Sequence, residues 1–238
     1  MNISNDINFT GEFFVPGKSG ERIELDHLER YRFACQYAKG KSILDIACGF
    51  GYSGPLFIDA GATTYEGVDI NPQLVANANS IYGSGCIKYR NGDIISYDSD
   101  RQFDVISCFE TIEHVADYCG ALTNLHRLLK PDGVLLISSP NRIVTSPNAK
   151  KLSDKPSNPY HTQEFTIEEL RFELGSIGFS VETGNIFGQR QQCLIKNKFL
   201  STLHDRIFGD PCVTTSPKVS LIQKKTPRYF IAVAHKVG

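Results

Sequence analysis

Ile43-Leu44-Asp45-Ile46-Ala47-Cys48-Gly49-Phe50-Gly51-Tyr52-Ser53-Gly54 is the stretch whose reading decides the fold. A short apolar run enters a glycine-spaced turn, and a helical pattern from Ser53 to Ala60 follows it. Glycine lets the backbone pass close to a ligand, and the start of the next helix offers N–H groups that no helix carbonyl satisfies. Asp69 closes the next strand in Tyr65-Glu66-Gly67-Val68-Asp69-Ile70. A carboxylate at that place is set to accept both hydroxyls of an adenosine ribose. Asp45 lies inside the first strand, where it can orient the loop or reach an ammonium group of a ligand.

The spacing Gly49-x-Gly51-x-x-Gly54 also matches the dinucleotide fingerprint, so a nicotinamide-dependent oxidoreductase is the rival reading. A carboxylate as close as Asp45 is unfavourable beside a pyrophosphate, and no Tyr-x-x-x-Lys pair follows the glycine loop. A non-catalytic domain that only binds the nucleoside ligand is the third reading.

Outward from the loop, strand and helix patterns alternate. Strands are expected at Ser42 to Ala47, Thr64 to Asp69, Ile87 to Tyr89, Phe103 to Cys108 and Gly133 to Ser139, with helices after Pro72 and from Val115 to Leu129 between them. Lys130-Pro131-Asp132-Gly133 reads as a turn. Such alternation predicts an α/β, doubly wound, Rossmann-like sheet of seven mostly parallel strands. Thr166 opens a further helix through a capping box with Glu169, followed by strands at Phe179 to Ile186 and Arg228 to Ala234.

Around this core, residues 1–40 read as an extended arm and a cap helix from Glu21 to Ala38, and residues 41–238 as the main domain. Residues 140–165, rich in Pro, Ser, Asn and Lys, follow the end of a strand where ligands bind in open sheets, and read as a lid. Residues 188–227 read as an insertion before the last strand, with a basic bias and helical spacing at Phe199, Leu200, Leu203, Ile207 and Phe208 that suits a dimer contact or a pocket wall.

The 238 residues carry 41% hydrophobic and 21% charged side chains with a formal net charge of −1. That is ordinary globular composition and argues against bulk binding of nucleic acid. Seven scattered cysteines, none in C-x-x-C spacing, fit a reducing compartment and no zinc site. No signal-like start and no run near the roughly 18 apolar residues of a membrane span are found, so a cytoplasmic protein is expected.

Five stretches in order resemble the class I S-adenosylmethionine-dependent methyltransferases. They are ILDIACGFGYSG, EGVDIN, NGDI, FDVISCFETIEHV and LLKPDGVLLISSPN. The resemblance implies S-adenosylmethionine as cofactor, held by Asp45, Ala47, Gly49, Gly51, Asp69, Ile70, Phe109 and Glu110, with Asp93 and Ile94 flanking the adenine. HLERYRFA, NPYHTQEF and FGQ are similar to small-molecule methyltransferases of sugar and polysaccharide biosynthesis. On that likeness the first helix covers the cofactor, and Arg30 meets the methionine carboxylate or is paired structurally.

An oxygen nucleophile has a high pKa, so a base near the fourth strand would help. If Phe109 to Val115 is helical, Glu110, Glu113, His114 and Asp117 share one face, with His114 as base and a carboxylate fixing its tautomer. In the alternative, the acids hold loop N–H groups and His114 packs beside the cofactor. The same acids could bind a divalent metal, but nothing in the sequence requires one, and none is assigned. His161 on the lid is the second base candidate, with Tyr160 as a stacking face for a sugar and Arg142 as a charge for an anionic group. The same segment could simply anchor the lid. Eight basic residues between 190 and 228 suit the diphosphate of a nucleotide sugar or a phosphorylated glycan, or form a solvated face. The expected partner is thus a small-molecule acceptor, with no nucleic acid and a homodimer as an open arrangement.

Overall fold

The computed structural model describes residues 20–194, 206–207 and 209–237. The expected arm at the N-terminus and the helical spacing at Phe199, Leu200, Leu203 and Phe208 lie outside the described residues. Helix α1 (Glu21–Ala34) comes first, and then β1 (Ser42–Ile46), α2 (Ser53–Asp59), β2 (Thr64–Asp69), α3 (Pro72–Tyr82), β3 (Ile87–Asn91) and β4 (Phe103–Cys108) alternate. The second part of the chain holds α4 (Tyr118–Leu128), β5 (Leu129–Pro140), α5 (Arg142–Thr145), α6 (Ile167–Ile177), β6 (Phe179–Ser180), β7 (Ile186–Gln192), α7 (Pro211–Thr214), β8 (Ser220–Leu221) and β9 (Thr226–Lys236).

Local chemistry places the helix ends. Asn71 caps α3 by accepting from the Gln73 N–H at 2.9 Å, and Pro72, which has no N–H to lose, takes the first turn. The capping box of Thr166 and Glu169 opens α6, and Gly178, with φ 107°, ends it in the left-handed conformation.

Among the described residues the sheet has nine strands, in the order β3-β2-β1-β4-β5-β9-β7-β8, with β6 paired to β9. This corrects the expected count of seven and the mostly parallel character. Strands β1 to β5 pair in parallel. Strands β6 to β9 form an antiparallel extension. The expected strand at Phe179 to Ile186 is two strands broken by a 3-10 turn at Thr183–Asn185. Lys130-Pro131-Asp132-Gly133, read as a turn, follows α4 within two residues of its end at Leu128. It is a bulge inside β5, where Asp132 has φ 59° and the register against β4 shifts.

Alternate residues of each strand face opposite layers. Leu44, Ile46, Ile106 and Ile137 join α4 and α6 through Leu122, Leu125 and Leu170. Ile43, Tyr65, Val105 and Val233 join the first three helices through Tyr31, Phe57 and Ala78 on the other side. The C-terminal ends of β1, β2 and β4 are left pointing at a common crevice between two crossover directions, which is where an open parallel sheet takes ligands. Among the described residues, no helix is long and apolar enough to cross a membrane.

Candidate active site

A cavity of about 740 Å³ opens at that crevice. Its floor is the turn after β1, from Ala47 to Phe50, and one wall is Asp69, Ile70, Asn71 and Leu74 after β2. Phe109, Glu110, Thr111, Glu113 and His114 after β4 close the far side. Above these lie α1, through Arg22, Asp26, His27, Arg30 and Tyr31, and the segment before α6, through Asn158, His161 and Glu164.

The glycine turn is bent as its sequence requires. Gly49 and Gly51 both have positive φ, 54° and 75°. A Cβ on Gly51 would lie 2.5 Å from the Tyr89 ring and 2.6 Å from Ala78, so no larger residue fits. Around Gly49 a Cβ would meet nothing within 4 Å, which leaves its backbone open to a ligand. Asp69 is fixed at the rim, accepting from the Gly49 N–H and the Asn71 N–H, each at 2.9 Å. Burial pushes its carboxyl upward, and those two amide donors oppose the shift. Ile70 beside it is 68% exposed, an apolar face on the same wall.

Asp45 lies beneath the loop rather than in the cavity. It is fully buried and accepts from Tyr31, Ser53, Tyr65 and Ser107 hydroxyls. Burial raises its pKa, and the four hydroxyls pull the other way. Of its two expected roles, orienting the loop is the one this geometry serves. Asp45 is not among the residues that line the cavity, and none of its surface is exposed. Asp93 and Ile94 are likewise not among the lining residues. The Asp93 carboxylate accepts from the Ile95 N–H at 2.8 Å, and Ile94 packs in the core.

Arg30 is buried at the cavity wall. One guanidinium nitrogen donates to Gln189 at 2.7 Å, Glu110 lies at 3.9 Å, and the Tyr229 ring is 5.4 Å from the guanidinium carbon. Its Nε has no hydrogen-bond partner among the described residues. A buried donor left unmade costs about 1–3 kcal/mol, so the position suits an anionic ligand group.

The segment after β4 is not the expected helix. Glu110 has φ 48°, and only Ile112–His114 form a 3-10 turn, so Glu110, Glu113, His114 and Asp117 do not share a helical face. Glu110 turns back to accept from the Ser138 hydroxyl at 2.7 Å, while Asp117 caps α4 through the Gly120 N–H. Glu113 is buried, with its Oε2 unpartnered among the described residues, and burial next to Glu110 raises its pKa well above the ordinary carboxylate value.

His114 and His161 meet edge to face, with ring centres 4.8 Å apart. The His114 Nδ1 is 3.1 Å from the Tyr160 carbonyl, which can only accept. The His161 Nδ1 is 2.7 Å from the buried Glu164 carboxylate, and its Nε2 is 2.8 Å from the Asn158 amide nitrogen. Burial pushes Glu164 up, but hydrogen bonds from His161, Thr145 and Ser146 outweigh it and hold the carboxyl below its ordinary value. Sequence reasoning missed Glu164. The signal was its place three residues after His161 in the same turn.

Two expected acceptor contacts fall elsewhere. Arg142, 3% exposed, donates to the Glu164 carbonyl and pairs with Glu169 at 2.6 Å, so it ties α5 to α6 instead of offering a charge to a ligand. The Tyr160 side chain, 56% exposed, is not among the lining residues. The segment itself is tied to the β4 loop by the Thr162 N–H and the Gln163 amide, which donate to the Glu113 and Ile112 carbonyls. Of the expected basic cluster, Arg190 is buried against Asp26, Lys196 and Lys198 lie outside the described residues, and Arg228 alone lines the cavity.

A family model described as a methyltransferase domain matches residues 24–183. The chain is 34% identical over 175 residues to a Mycolicibacterium smegmatis protein named a probable S-adenosylmethionine-dependent methyltransferase, a match covering 73% of this chain and 65% of that protein. It therefore spans under two thirds of that relative's length. A ubiquinone biosynthesis O-methyltransferase of Pseudomonas paraeruginosa is 33% identical over 107 residues, 43% of this chain and 46% of that one. Among solved structures, an S-adenosylmethionine-dependent methyltransferase from Mesorhizobium loti superposes with a TM-score of 0.61 at 17% identity, over 89% of this chain and 98% of that one, which is a likeness of fold. With the family model covering more than half of its length, the chain belongs to the class I S-adenosylmethionine-dependent methyltransferases.

Proposed function

We propose that the chain transfers a methyl group from S-adenosylmethionine to a hydroxyl of a small polar acceptor such as a sugar or nucleotide-linked sugar. The observation that carries this reading is the arrangement of one cavity. Asp69 and exposed Ile70 stand at one end, the open backbone of Gly49 in the middle, the unpartnered Nε of Arg30 on the wall and the Glu113–His114–His161 cluster at the other end. Asp69 is placed for the ribose hydroxyls, Ile70 for a face of the adenine, Arg30 for the amino-acid carboxylate, and Ala47, Phe109 and Glu110 for the walls between them.

The cofactor supplies a methyl group already activated by its sulfonium. The protein's task is then to align the acceptor oxygen, exclude water and manage one proton. Helix α1 and the segment carrying His161 cover the crevice from two sides. The proton of the acceptor hydroxyl falls to the Glu113–His114–His161 cluster, whose two rings are held in place by Tyr160 and Glu164. Support for an oxygen acceptor is the relationship to a ubiquinone O-methyltransferase, and support for an anionic sugar is Arg228 on the same wall.

Calorimetric titration with S-adenosylhomocysteine, and with NADH and NADPH in parallel, tests the cofactor. Saturable binding of S-adenosylhomocysteine alone, lost in Asp69→Ala, is the expected result. Binding of NADH alone would overturn the reading. Mass spectrometry for the gain of one methyl group across nucleotide sugars and sugar phosphates then tests the acceptor.

A further inference from the structure

One carboxylate oxygen of Glu113 and one ring nitrogen each of His114 and His161 lie within 4.8 Å of one another at the end of the cavity. Two carboxylates flank the group without belonging to it, Glu110 held by Ser138 and Glu164 held by His161 and Thr145.

We infer that Glu113, His114 and His161 form a binding site for a divalent transition cation of the manganese, cobalt or zinc class. The inference rests on the methyl-transfer reading only for its use, not for its existence. Two imidazoles and one carboxylate are a mixed nitrogen and oxygen set, which favours these ions over magnesium or calcium, whose ligands are oxygens.

Three observations point to a ligand rather than to a self-contained hydrogen-bond cluster. Glu113 is 1% exposed and its Oε2 has no partner among the described residues, a buried acceptor facing nothing that donates to it. The Tyr160 carbonyl fixes the proton of His114 on Nδ1, so that Nε2 is the lone-pair nitrogen of the neutral ring. The Glu164 carboxylate does the same for His161. An imidazole whose second nitrogen donates to a carbonyl or a carboxylate is the usual form of a metal-bound histidine, because that donor orients the ring and raises its basicity.

The cluster is not closed to the size of an ion. Bond lengths near 2.1 Å put neighbouring ligand atoms roughly 3–3.5 Å apart, so the widest of the 4.8 Å separations has to close by about 1.3–1.8 Å. The Asn158 amide, which now meets the His161 Nε2, must give way. Three protein ligands leave coordination positions turned to the cavity, where a cation would hold an acceptor hydroxyl and lower its pKa. This would replace a histidine base with a metal-activated oxygen, whose proton would pass to water in the cavity before the methyl group is transferred.

Titration of the chelator-treated protein with Mn2+, followed by loss of the free-ion paramagnetic resonance signal, tests the site without any turnover. One ion per chain is expected, displaced by Zn2+ and by Co2+ at lower concentrations than by Mg2+. Glu164→Gln, which leaves all three ligands in place, is expected to weaken Mn2+ by about 10- to 100-fold. His161→Ala is expected to abolish binding, with far-ultraviolet circular dichroism confirming the fold. Unchanged Mn2+ affinity in both variants, or no uptake by the wild type, overturns the inference. S-adenosylhomocysteine titrated in the same samples separates the two readings: its binding without Mn2+ uptake removes the metal and leaves the methyltransferase, and Mn2+ uptake without it does the reverse.

Discussion

Asp45 and Asp69 are similar carboxylates at the ends of neighbouring strands, and their surroundings give them different work. Asp69 is held by two backbone N–H groups and keeps one edge at the cavity. Asp45 is enclosed by four hydroxyls from β1's neighbours, α1 and α2. Removing a charge acceptor of this kind strands several buried donors, each worth about 1–3 kcal/mol when left unmade. Asp45→Ala is therefore expected to lower unfolding stability by about 3–5 kcal/mol in urea titrations, an effect typical of breaking a buried charged network. The surviving folded fraction should still bind S-adenosylhomocysteine, because the carboxylate does not face the cavity. Asp69→Ala should behave oppositely, with binding lost and stability changed by less. Equal loss of stability in both would mean that Asp69 is a strut too. The sequence placed both acids at the glycine loop, but it could not tell which one faces the ligand. That distinction depends on Tyr31, Tyr65 and Ser107, which arrive from distant positions.

At the scale of elements, the parallel half of the sheet was legible because short strand patterns alternate with helical ones, and α3 and α4 carry side-chain caps at Asn71 and Asp117. Of the antiparallel half, β9 was legible as the expected strand at Arg228 to Ala234, but β7 and β8 were not. The residues of β7 read Ile-Phe-Gly-Gln-Arg-Gln-Gln, with Gln189 and Arg190 buried, and no hydrophobic alternation marks such a strand. The helix expected after β4 failed for a related reason: its face of acids was counted by helical spacing, while Glu110 takes a positive φ to reach Ser138. One polar contact that the pattern did not disclose ties three strands. Asp104 on β4 accepts from the Ser42 N–H and hydroxyl on β1 and from Lys130 on β5. Partial burial pushes its pKa up, but the bonds from Lys130 and Ser42 prevail and bring it down to about 2. A depressed carboxyl stabilises the fold above its unfolded pKa, and the contribution is lost as pH falls through the folded value. Asp104→Asn is expected to cost about 1–2 kcal/mol at pH 7, allowing for the exposure of Lys130. In urea titrations the gap to the wild type should hold down to about pH 4 and close toward pH 2. A gap that closes already between pH 7 and pH 5 would assign the stabilisation to another group.

For the whole molecule, the site is finished by joining the first helix to a strand more than 150 residues later in the chain. Helix α1, which roofs the cavity, is fastened to the antiparallel extension through a buried ion pair between Asp26 and Arg190 at 2.7 Å. Gln189 adds to it by donating to the Asp26 carbonyl and accepting from Arg30. Strand β7, which sequence patterning did not separate from β6, is thus the one that holds the cap over the cofactor crevice. Arg22 lies 3.9 Å from Asp26 but is half exposed, so it cannot replace Arg190 as a buried counter-charge. Removing either partner leaves the other buried and poorly compensated, at a cost of about 3–5 kcal/mol, whereas removing both leaves no isolated charge. Arg190→Met and Asp26→Asn should therefore each lower stability by that amount, and the double variant by clearly less than the sum, with a coupling of about 1–3 kcal/mol. Urea titrations of the four proteins measure the cycle. The single variants should also bind S-adenosylhomocysteine more weakly, because the ligand must then order α1 as it binds. Additive losses would mean that the cap is held by apolar packing of Phe33 on Phe187, whose rings lie 4.6 Å apart, and that the ion pair contributes little beyond it.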